Sequence, residues 1–235
     1  MKIQAIKTRV FKENENLLLF IEEYSKPREN DILVVTSKIV ALAEGRTANF
    51  NTEEDKEKLI RQESEFALKT KWTWLTIKDG MLLASAGVDE SNADGKLILL
   101  PKDSFVAADQ IRKYFCEKYN IKKLAVVITD SRCLPLRAGV IGVALGYAGF
   151  SGFREYRGTK DIFGRELEMT HTDIPDSLAS AAVLCMGEGN EQQPLAVISE
   201  IELSWQEKVD SSELRIDVDD DMFHPLFEHL PGLRL

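Results

Sequence analysis

The stretch Trp72–Asn92, WTWLTIKDGMLLASAGVDESN, decides the fold class. It predicts two strands, Trp72–Ile77 and Met81–Ala86, separated by Asp79-Gly80, a dipeptide typical of tight hairpin turns. Strands joined by so short a turn run antiparallel, whereas consecutive parallel strands need a long crossover between them. The stretch therefore favours an α+β fold over a doubly wound sheet.

Strands and helices are predicted on both sides of this hairpin. Asp31–Val40 and Leu124–Thr129 are apolar enough for buried strands, and Asp130 directly follows the second one. Asp103 is predicted to cap a helix that runs to about Tyr119. Two further helices are predicted at Thr52–Lys69 and Pro175–Leu184. Together the pattern predicts mixed sheets with hairpins and packed helices.

The composition is that of an acidic globular protein. The 235 residues are 44% hydrophobic and 29% charged, and the formal net charge is −9. We therefore expect neither nucleic acid nor an anionic membrane as a partner. No apolar run approaches the roughly 20 residues of a membrane span, and no signal-peptide core follows Met1. Three widely spaced cysteines fit neither a disulfide framework nor a zinc site, so we expect a cytoplasmic protein.

Three distant segments each place a carboxylate in a small, polar context where an apolar run ends. They are Gly87–Asn92 with Asp89, Ile128–Arg132 with Asp130, and Met186–Gly189 with Glu188. Carboxylate and hydroxyl oxygens are the ligands that Mg²⁺ and Mn²⁺ prefer, especially where the ion also binds phosphate. The three segments together indicate a shared metal–phosphate site.

Each segment also has a simpler interpretation. Asp89 and Asn92 are typical of an Asx-turn, Asp130 of a turn or helix cap, and Gly187 of a helix C-terminus. Neither a P-loop ending in Lys-Ser/Thr nor a G-x-G-x-x-G after a strand occurs, so neither standard nucleotide fold is indicated.

A cluster of cations interrupts the acidic chain. It comprises Arg154, Arg157, Lys160 and Arg165, with Arg137 nearby and several aromatic residues between them. Such a cluster is usually a solvated face. In this context it also suits a substrate that carries carboxylates or several negative charges.

Seven segments, in order, resemble the coenzyme F-420:L-glutamate ligase family over about residues 1–200. The resemblance implies an α+β fold in two interwoven subdomains and a homodimer. It leaves residues 201–235 as an acidic segment that packs on the catalytic domain. The segments are Thr36–Lys38, Ala43–Arg46, Ala86–Asn92, Leu99–Pro101, Ile128–Ser131, Lys160–Leu167 and Met186–Gly189.

The resemblance implies an NTP-dependent ligase that adds glutamate to an acceptor carboxylate. By motif position, the ligands of Mg²⁺ or Mn²⁺, expected as two ions, are Asp89, Asp130, Ser131 and Glu188. The contacts to ATP or GTP are implied at Ser37, Lys38, Asn92, Met186, Gly187 and Gly189. Arg137, Arg157, Lys160 and Arg165 are our candidates for the glutamate-bearing substrate.

Departures from the family pattern favour a folate-type pterin acceptor. Thr8–Phe11 replaces a Gly-Leu-Pro segment and Cys133-Leu134 replaces Gly-Arg, while Leu42 replaces a lysine and bears on a phosphate contact. Thr8–Phe11 and Gly189–Gln192 also resemble the folate γ-glutamyl ligase branch of this family. The lost arginine is a phosphate partner, and the deazaflavin acceptor carries a phosphodiester that folate lacks. The alternatives are the same chemistry on the deazaflavin acceptor and a catalytically silent nucleotide- or metal-binding regulator.

Overall fold

A computed structural model describes residues 1–228, which form twelve strands and six α-helices. The strands are β1 Lys2–Ile6, β2 Ile32–Thr36, β3 Thr47–Ala48, β4 Phe66–Lys69, β5 Trp74–Lys78, β6 Met81–Ala84, β7 Leu97–Ile98, β8 Ala125–Cys133, β9 Val140–Ala148, β10 Phe153–Glu155, β11 His171–Asp173 and β12 Leu195–Ser199. The helices are α1 Leu17–Tyr24, α2 Ser37–Ala43, α3 Glu53–Gln62, α4 Ser104–Tyr119, α5 Ile174–Met186 and α6 His224–Phe227. This mixture confirms the α+β class.

The chain divides into two compact units, each built from two separate stretches. The first unit contains Met1–Arg46 and Pro101–Ser211, and the second contains Thr47–Leu100 and the chain from Ser212 onward. The segment 201–235 is thus shared between the units, and its residues 229–235 lie outside the described part. A domain boundary after residue 200 stays a prediction.

A five-stranded sheet in the order β1-β12-β2-β8-β9 organises the first unit. Its neighbouring strands are antiparallel except for β2 and β8, which run parallel with Thr36 opposite Thr129. β2 therefore ends beside Thr129 of β8, the residue before Asp130, on the carboxyl side of the two parallel strands, where ligands commonly bind in open sheets.

The main core of this unit lies between the sheet and α4. Val126 and Ile128 of β8 pack with Ile111 and Phe115 of α4, and all four are almost fully buried. Side chains alternate along a strand, so Ile128 faces this core and Ser131 faces the opposite side of the sheet.

The second unit contains the hairpin that decides the fold class. Asp79 and Gly80 have φ of 53° and 74°, the left-handed values that a tight hairpin turn requires. Strands β4, β5 and β6 form an antiparallel sheet, and β3 pairs with β7. Trp74 packs with Ile60 of α3 and with Val88, Leu97 and Leu99.

Two predicted elements are wrong in their extent. The strand predicted at Asp31–Val40 ends at Thr36, and the helix α2 follows immediately. Ile39 and Val40 of α2 are buried in the core, so their apolar run reads like a continuing strand. The helix predicted to reach Lys69 ends at Gln62, and the last four residues of that stretch form β4.

The position predicted for Asp130 also needs correction. The strand was expected to end at Thr129, but β8 continues to Cys133. Asp130 and Ser131 are therefore paired strand residues, opposite Val143 and Gly142 of β9. A polar pair inside a strand is compatible with sheet structure where the strand runs beyond its buried section.

Candidate functional site

Asp130 and Ser131 lie where β8 leaves the buried core. The five residues before Asp130 are buried, whereas Asp130 and Ser131 are half-exposed. The Ser131 amide donates to the Asp130 carboxylate at 2.9 Å, which fixes that carboxylate against its own strand. A bulge between Ile128 and Thr129 in the pairing with β9 increases the local twist just before this pair.

Glu188 meets Ser131 across 57 residues of sequence. The Ser131 hydroxyl lies 2.6 and 2.7 Å from the two carboxylate oxygens of Glu188 and donates to that group. Two of the three carboxylate segments that the sequence singled out are thus joined by a side-chain contact. Asp130 is the immediate neighbour of this contact in the chain.

The loop that carries Glu188 begins where α5 ends. Gly187 closes the helix with φ of 85°, and its amide donates to the Val183 carbonyl at 2.9 Å. Glu191 folds the loop back by accepting from the Gly189 amide at 2.8 Å. Met186 is only 4% exposed, so its side chain belongs to the core, and its predicted nucleotide contact stays a prediction.

Ser37 and Lys38 open α2 directly after β2. Because Thr36 is paired with Thr129, Ser37 and Lys38 follow the end of β2 at the level where Asp130 and Ser131 continue β8. Ser37 is buried and Lys38 is half-exposed. Their assignment to the nucleotide stays a prediction.

Asp89 and Asn92 lie in the second unit. The backbone of Asp89 bridges Ile98 with hydrogen bonds of 2.9 and 2.8 Å. Its carboxylate accepts from the amide and the hydroxyl of Ser91 at 2.8 and 2.6 Å, which is the Asx-turn that the sequence also allowed. Asn92 is exposed and has φ of 54°. Their predicted ligand roles stay predictions.

The donor set of the first unit suits a hard cation. Asp130, Ser131 and Glu188 offer only oxygen, which Mg²⁺ and Mn²⁺ prefer. Within residues 1–228 no three acidic, histidine or cysteine side chains converge into a preformed metal cage. An ion held here would take further ligands from phosphate and water, as Mg²⁺ commonly does.

The predicted substrate cations lie on exposed hairpins. Arg137, Lys160 and Arg165 are exposed. Arg157 is exposed too, but it donates through Nε to the Glu155 carboxylate at 2.8 Å. That hydrogen bond lowers the pKa of Glu155 to about 2. Arg157 is therefore engaged, and the substrate role of all four cations stays a prediction.

A second group of polar residues was not identified from the sequence as part of a site. Asp176 in the first turn of α5 accepts from the Ala144 amide at 2.8 Å and lies 3.7 Å from Arg132. Asp173 caps the same helix by accepting from the Asp176 amide. Burial, together with the charge of Asp176, raises the pKa of Asp173 to about 6. The D-x-x-D spacing of Asp173 and Asp176 indicates only a helix cap. The contacts of Asp176 with Ala144 and Arg132 could therefore not be predicted from the sequence.

The comparisons with known proteins identify the class as an amide-bond-forming ligase that joins an acid to an amino acid. Residues 5–200 match the family described as F420-0:Gamma-glutamyl ligase, and the chain belongs to that family. No helix within residues 1–228 has the length and apolarity needed to span a membrane.

Curated relatives align over most of their own length. The coenzyme F420:L-glutamate ligase of Methanopyrus kandleri is 33% identical over 208 residues, which is 80% of this chain and 82% of the relative. The enzyme of the same name from Methanococcus maripaludis strain C6 is 33% identical over 213 residues, 90% of this chain and 85% of the relative. That of Archaeoglobus fulgidus is 31% identical over 207 residues, 80% and 83% respectively.

Proposed function

We propose that this chain is an NTP-dependent γ-glutamyl ligase that joins glutamate to an acceptor carboxylate through an acyl phosphate. The observation that supports it most directly is the contact between Ser131 and Glu188 beside Asp130. It gathers oxygen donors from two distant segments at the sheet edge where β2 also ends.

The chemistry requires an activated acceptor, because a carboxylate oxygen is a poor leaving group. Transfer of the nucleotide's γ-phosphoryl group to the acceptor carboxylate forms a phosphorus–oxygen bond and releases the nucleoside diphosphate. The glutamate amine then attacks the acyl carbon, forms the amide, and releases inorganic phosphate and a proton. In such reactions the protein mainly positions the reactants and stabilises charge.

Asp130, Ser131 and Glu188 would hold a metal ion in the first unit. The family resemblance also implies Asp89 as a carboxylate ligand, and a pair of Mg²⁺ or Mn²⁺ ions. When bound, the ions neutralise charge that develops on the phosphoryl group. Ser37, Lys38 and the backbone of the Met186–Gly189 loop are proposed to contact ATP or GTP, with Asn92 in the same role.

Folate is our first candidate for the acceptor. The sequence lacks the family's arginine at Leu134, and Arg132 is the nearest cation in the chain that could replace it. Arg132 faces Asp176 at 3.7 Å, and its side chain is 26% exposed. At that distance the pair is not hydrogen-bonded, and within residues 1–228 the buried Arg132 Nε has no hydrogen-bond partner. It is therefore the missing arginine at position 134 that favours an acceptor without a phosphodiester.

The second candidate acceptor is the deazaflavin coenzyme precursor. It is favoured by the relatives, which are named coenzyme F420:L-glutamate ligases and are 31–33% identical to this chain. The two acceptors would react by the same chemistry at their carboxylates. Only the part of the site that binds the rest of the acceptor would distinguish them.

We also propose a homodimer. Three large apolar side chains between β10 and β11 of the first unit are strongly exposed: Ile162, Phe163 and Met169. A second copy would remove them from water. Light scattering on the purified chain should give twice the chain mass, and a monomer at micromolar concentration would contradict the proposal.

The test is a product assay with tetrahydrofolate or the deazaflavin acceptor, each with glutamate and with ATP or GTP. Mass spectrometry should detect the glutamylated acceptor and equimolar nucleoside diphosphate. Asp130→Asn should abolish turnover and weaken Mn²⁺ binding while circular dichroism stays unchanged. Asp79→Asn, in a turn where asparagine also accepts the observed φ, serves as the control. Mn²⁺ or nucleotide binding without product under all four conditions would instead identify a silent regulator.

A further inference from the structure

The helix α5 is fixed to strand β9 at two points. Asp176 accepts from the Ala144 amide at 2.8 Å, and the Ser180 hydroxyl donates to the Gly142 carbonyl at 2.7 Å. Four residues of helix rise about 6 Å and two residues of strand rise about 6.6 Å, so both hydrogen bonds can form at the same time. They set both the position of α5 along β9 and its rotation.

Gly142 allows α5 to approach this closely. A Cβ at this position would lie 2.5 Å from the Ala179 carbonyl oxygen and 2.7 Å from a methyl carbon of Val183. Both are parts of α5, so the helix backbone lies directly on the glycine. α5 therefore packs directly on the backbone of β9 at Gly142.

The strand residues that hold α5 are the partners of the site residues. Gly142 is paired with Ser131, and Ala144 is paired with Thr129. Beyond Ser180 the helix continues to Met186, and Glu188 follows two residues later. Ser131 is thus connected to Glu188 in two ways. One runs through the pairing of β8 with β9 and the hydrogen bonds of β9 to α5, and the other is the direct contact of 2.6 Å between the two side chains.

We propose that Asp176 and Ser180 are positioning residues that set the register of α5 on β9, and thereby hold Glu188 against Ser131. A slide of α5 by one residue would move its C-terminus about 1.5 Å and rotate it about 100°. Either change carries Glu188 out of hydrogen-bonding distance of Ser131. The effect on metal binding, though not the register itself, rests on the proposed function.

The first test compares two serines on the same helix. Ser180→Ala removes the hydrogen bond from α5 to β9. Ser177→Ala removes only a local hydrogen bond at the start of α5, from its hydroxyl to the carbonyl of the capping residue Asp173. In metal-free crystal structures, the Ser131–Glu188 contact should open beyond about 3.5 Å in Ser180→Ala and stay closed in Ser177→Ala. An unchanged contact in Ser180→Ala overturns the inference.

The second test measures Mn²⁺ affinity of the full chain by electron paramagnetic resonance, well below the unfolding temperature. Ser180→Ala should raise the Kd for Mn²⁺ about tenfold, the usual scale for residues that orient metal ligands. Ser177→Ala should match the wild type. Asp176→Asn, which keeps an acceptor for the Ala144 amide, should bind more tightly than Asp176→Ala. A purely structural role would lower thermal stability and leave the Kd unchanged, which overturns the inference.

The two tests separate this inference from the proposed function. If the wild type and Glu188→Gln bind Mn²⁺ equally weakly, the proposed metal site is wrong. An opened contact in Ser180→Ala would then still support the register. If Glu188→Gln weakens binding and Ser180→Ala does not, the metal site stands and the positioning role is wrong.

Discussion

Lys160 and Arg157 differ in what surrounds their charges, although both belong to the cation cluster. Arg157 is bound to Glu155 through Nε and Nη2, whereas Lys160 is exposed and its backbone bridges Glu166 in the hairpin. A cation that already has a carboxylate partner gains less from a second one, because its charge is partly compensated. The two residues therefore offer an internal comparison of substrate binding.

We expect Lys160→Ala to raise the KM for glutamate or for the acceptor about tenfold, the scale of one charge-assisted hydrogen bond. Arg157→Ala should change it less, and the nucleotide KM should stay the same in both variants. Steady-state kinetics with each substrate varied in turn provides the measurement. A change confined to the nucleotide KM would show that the cluster contacts phosphate.

Asp173 gives the molecule a pH dependence of stability. Its folded-state pKa is raised to about 6, chiefly by burial and then by Asp176. A carboxyl whose pKa is higher in the folded state stabilises the fold while it is protonated. This contribution is complete below the unfolded pKa and is lost as the pH rises through about 6.

Asp173→Asn removes this titration and keeps a side chain that caps helices well. We expect the variant to unfold at a higher temperature than the wild type at pH 7.5. The gap should narrow as the pH falls below about 6 and close only below the ordinary aspartate pKa of about 3.8. Thermal unfolding across that pH range measures it. A gap independent of pH would mean that the charge of Asp173 is compensated in the folded state.

At the scale of elements, turn and cap chemistry was predicted well and the ends of apolar runs were not. Asp79-Gly80 and the cap at Asp103 act through local geometry, and both occur where predicted. The run through Val40 was misread because a buried helix and a buried strand share the same apolar composition. Only tertiary packing distinguishes them.

The candidate site shows the same division. Asp130 and Glu188 were recognisable because carboxylates in glycine- or serine-rich segments are poor core material. Their connection through Ser131 and the roles of Asp176 and Ser180 depend on how α5 lies on β9. Local sequence does not encode that register.

The close packing of α5 on Gly142 can be tested directly. Gly142→Ala adds a methyl group that would lie 2.5 Å from a backbone oxygen, so the helix must shift. We expect a loss of about 1–3 kcal/mol in the free energy of unfolding, typical of overpacking. Gly158→Ala serves as a control for an added methyl group because nothing lies within 4 Å of its Cβ, although its φ of 78° adds strain of about 1–2 kcal/mol. Urea unfolding of both variants measures the losses, and a loss well below about 1 kcal/mol in Gly142→Ala would rule out close packing at Gly142.

At the scale of the whole molecule, a chain of net charge −9 must bind anionic substrates. A cation of this chain can therefore bind such a substrate well only where no neighbouring carboxylate already neutralises its charge. Arg112 is 4% exposed and donates to Glu207 at 3.0 and 2.9 Å. Such an arginine serves the fold, which leaves acceptor choice to other positions.

Leu134 is the position at which we expect a substitution to change acceptor choice. It lies in the connection between β8 and β9, where the family resemblance places an arginine. Leu134→Arg would restore a charge-assisted partner for a phosphodiester, worth about 1.5–3 kcal/mol, or about ten- to a hundredfold in preference. Leu136→Arg, which places the same charge on a fully exposed side chain two residues away, is the matched control.

We expect the wild type to glutamylate folate when both acceptors compete in one reaction. Leu134→Arg should shift the product ratio toward the deazaflavin acceptor, and Leu136→Arg should not. Because competition reports the ratio of kcat/KM values, a general loss of activity cancels and only discrimination remains. Preferential glutamylation of the deazaflavin acceptor by the wild type would refute the folate assignment. An equal shift in both variants would show that net charge near the site, rather than the position of the arginine, governs the choice.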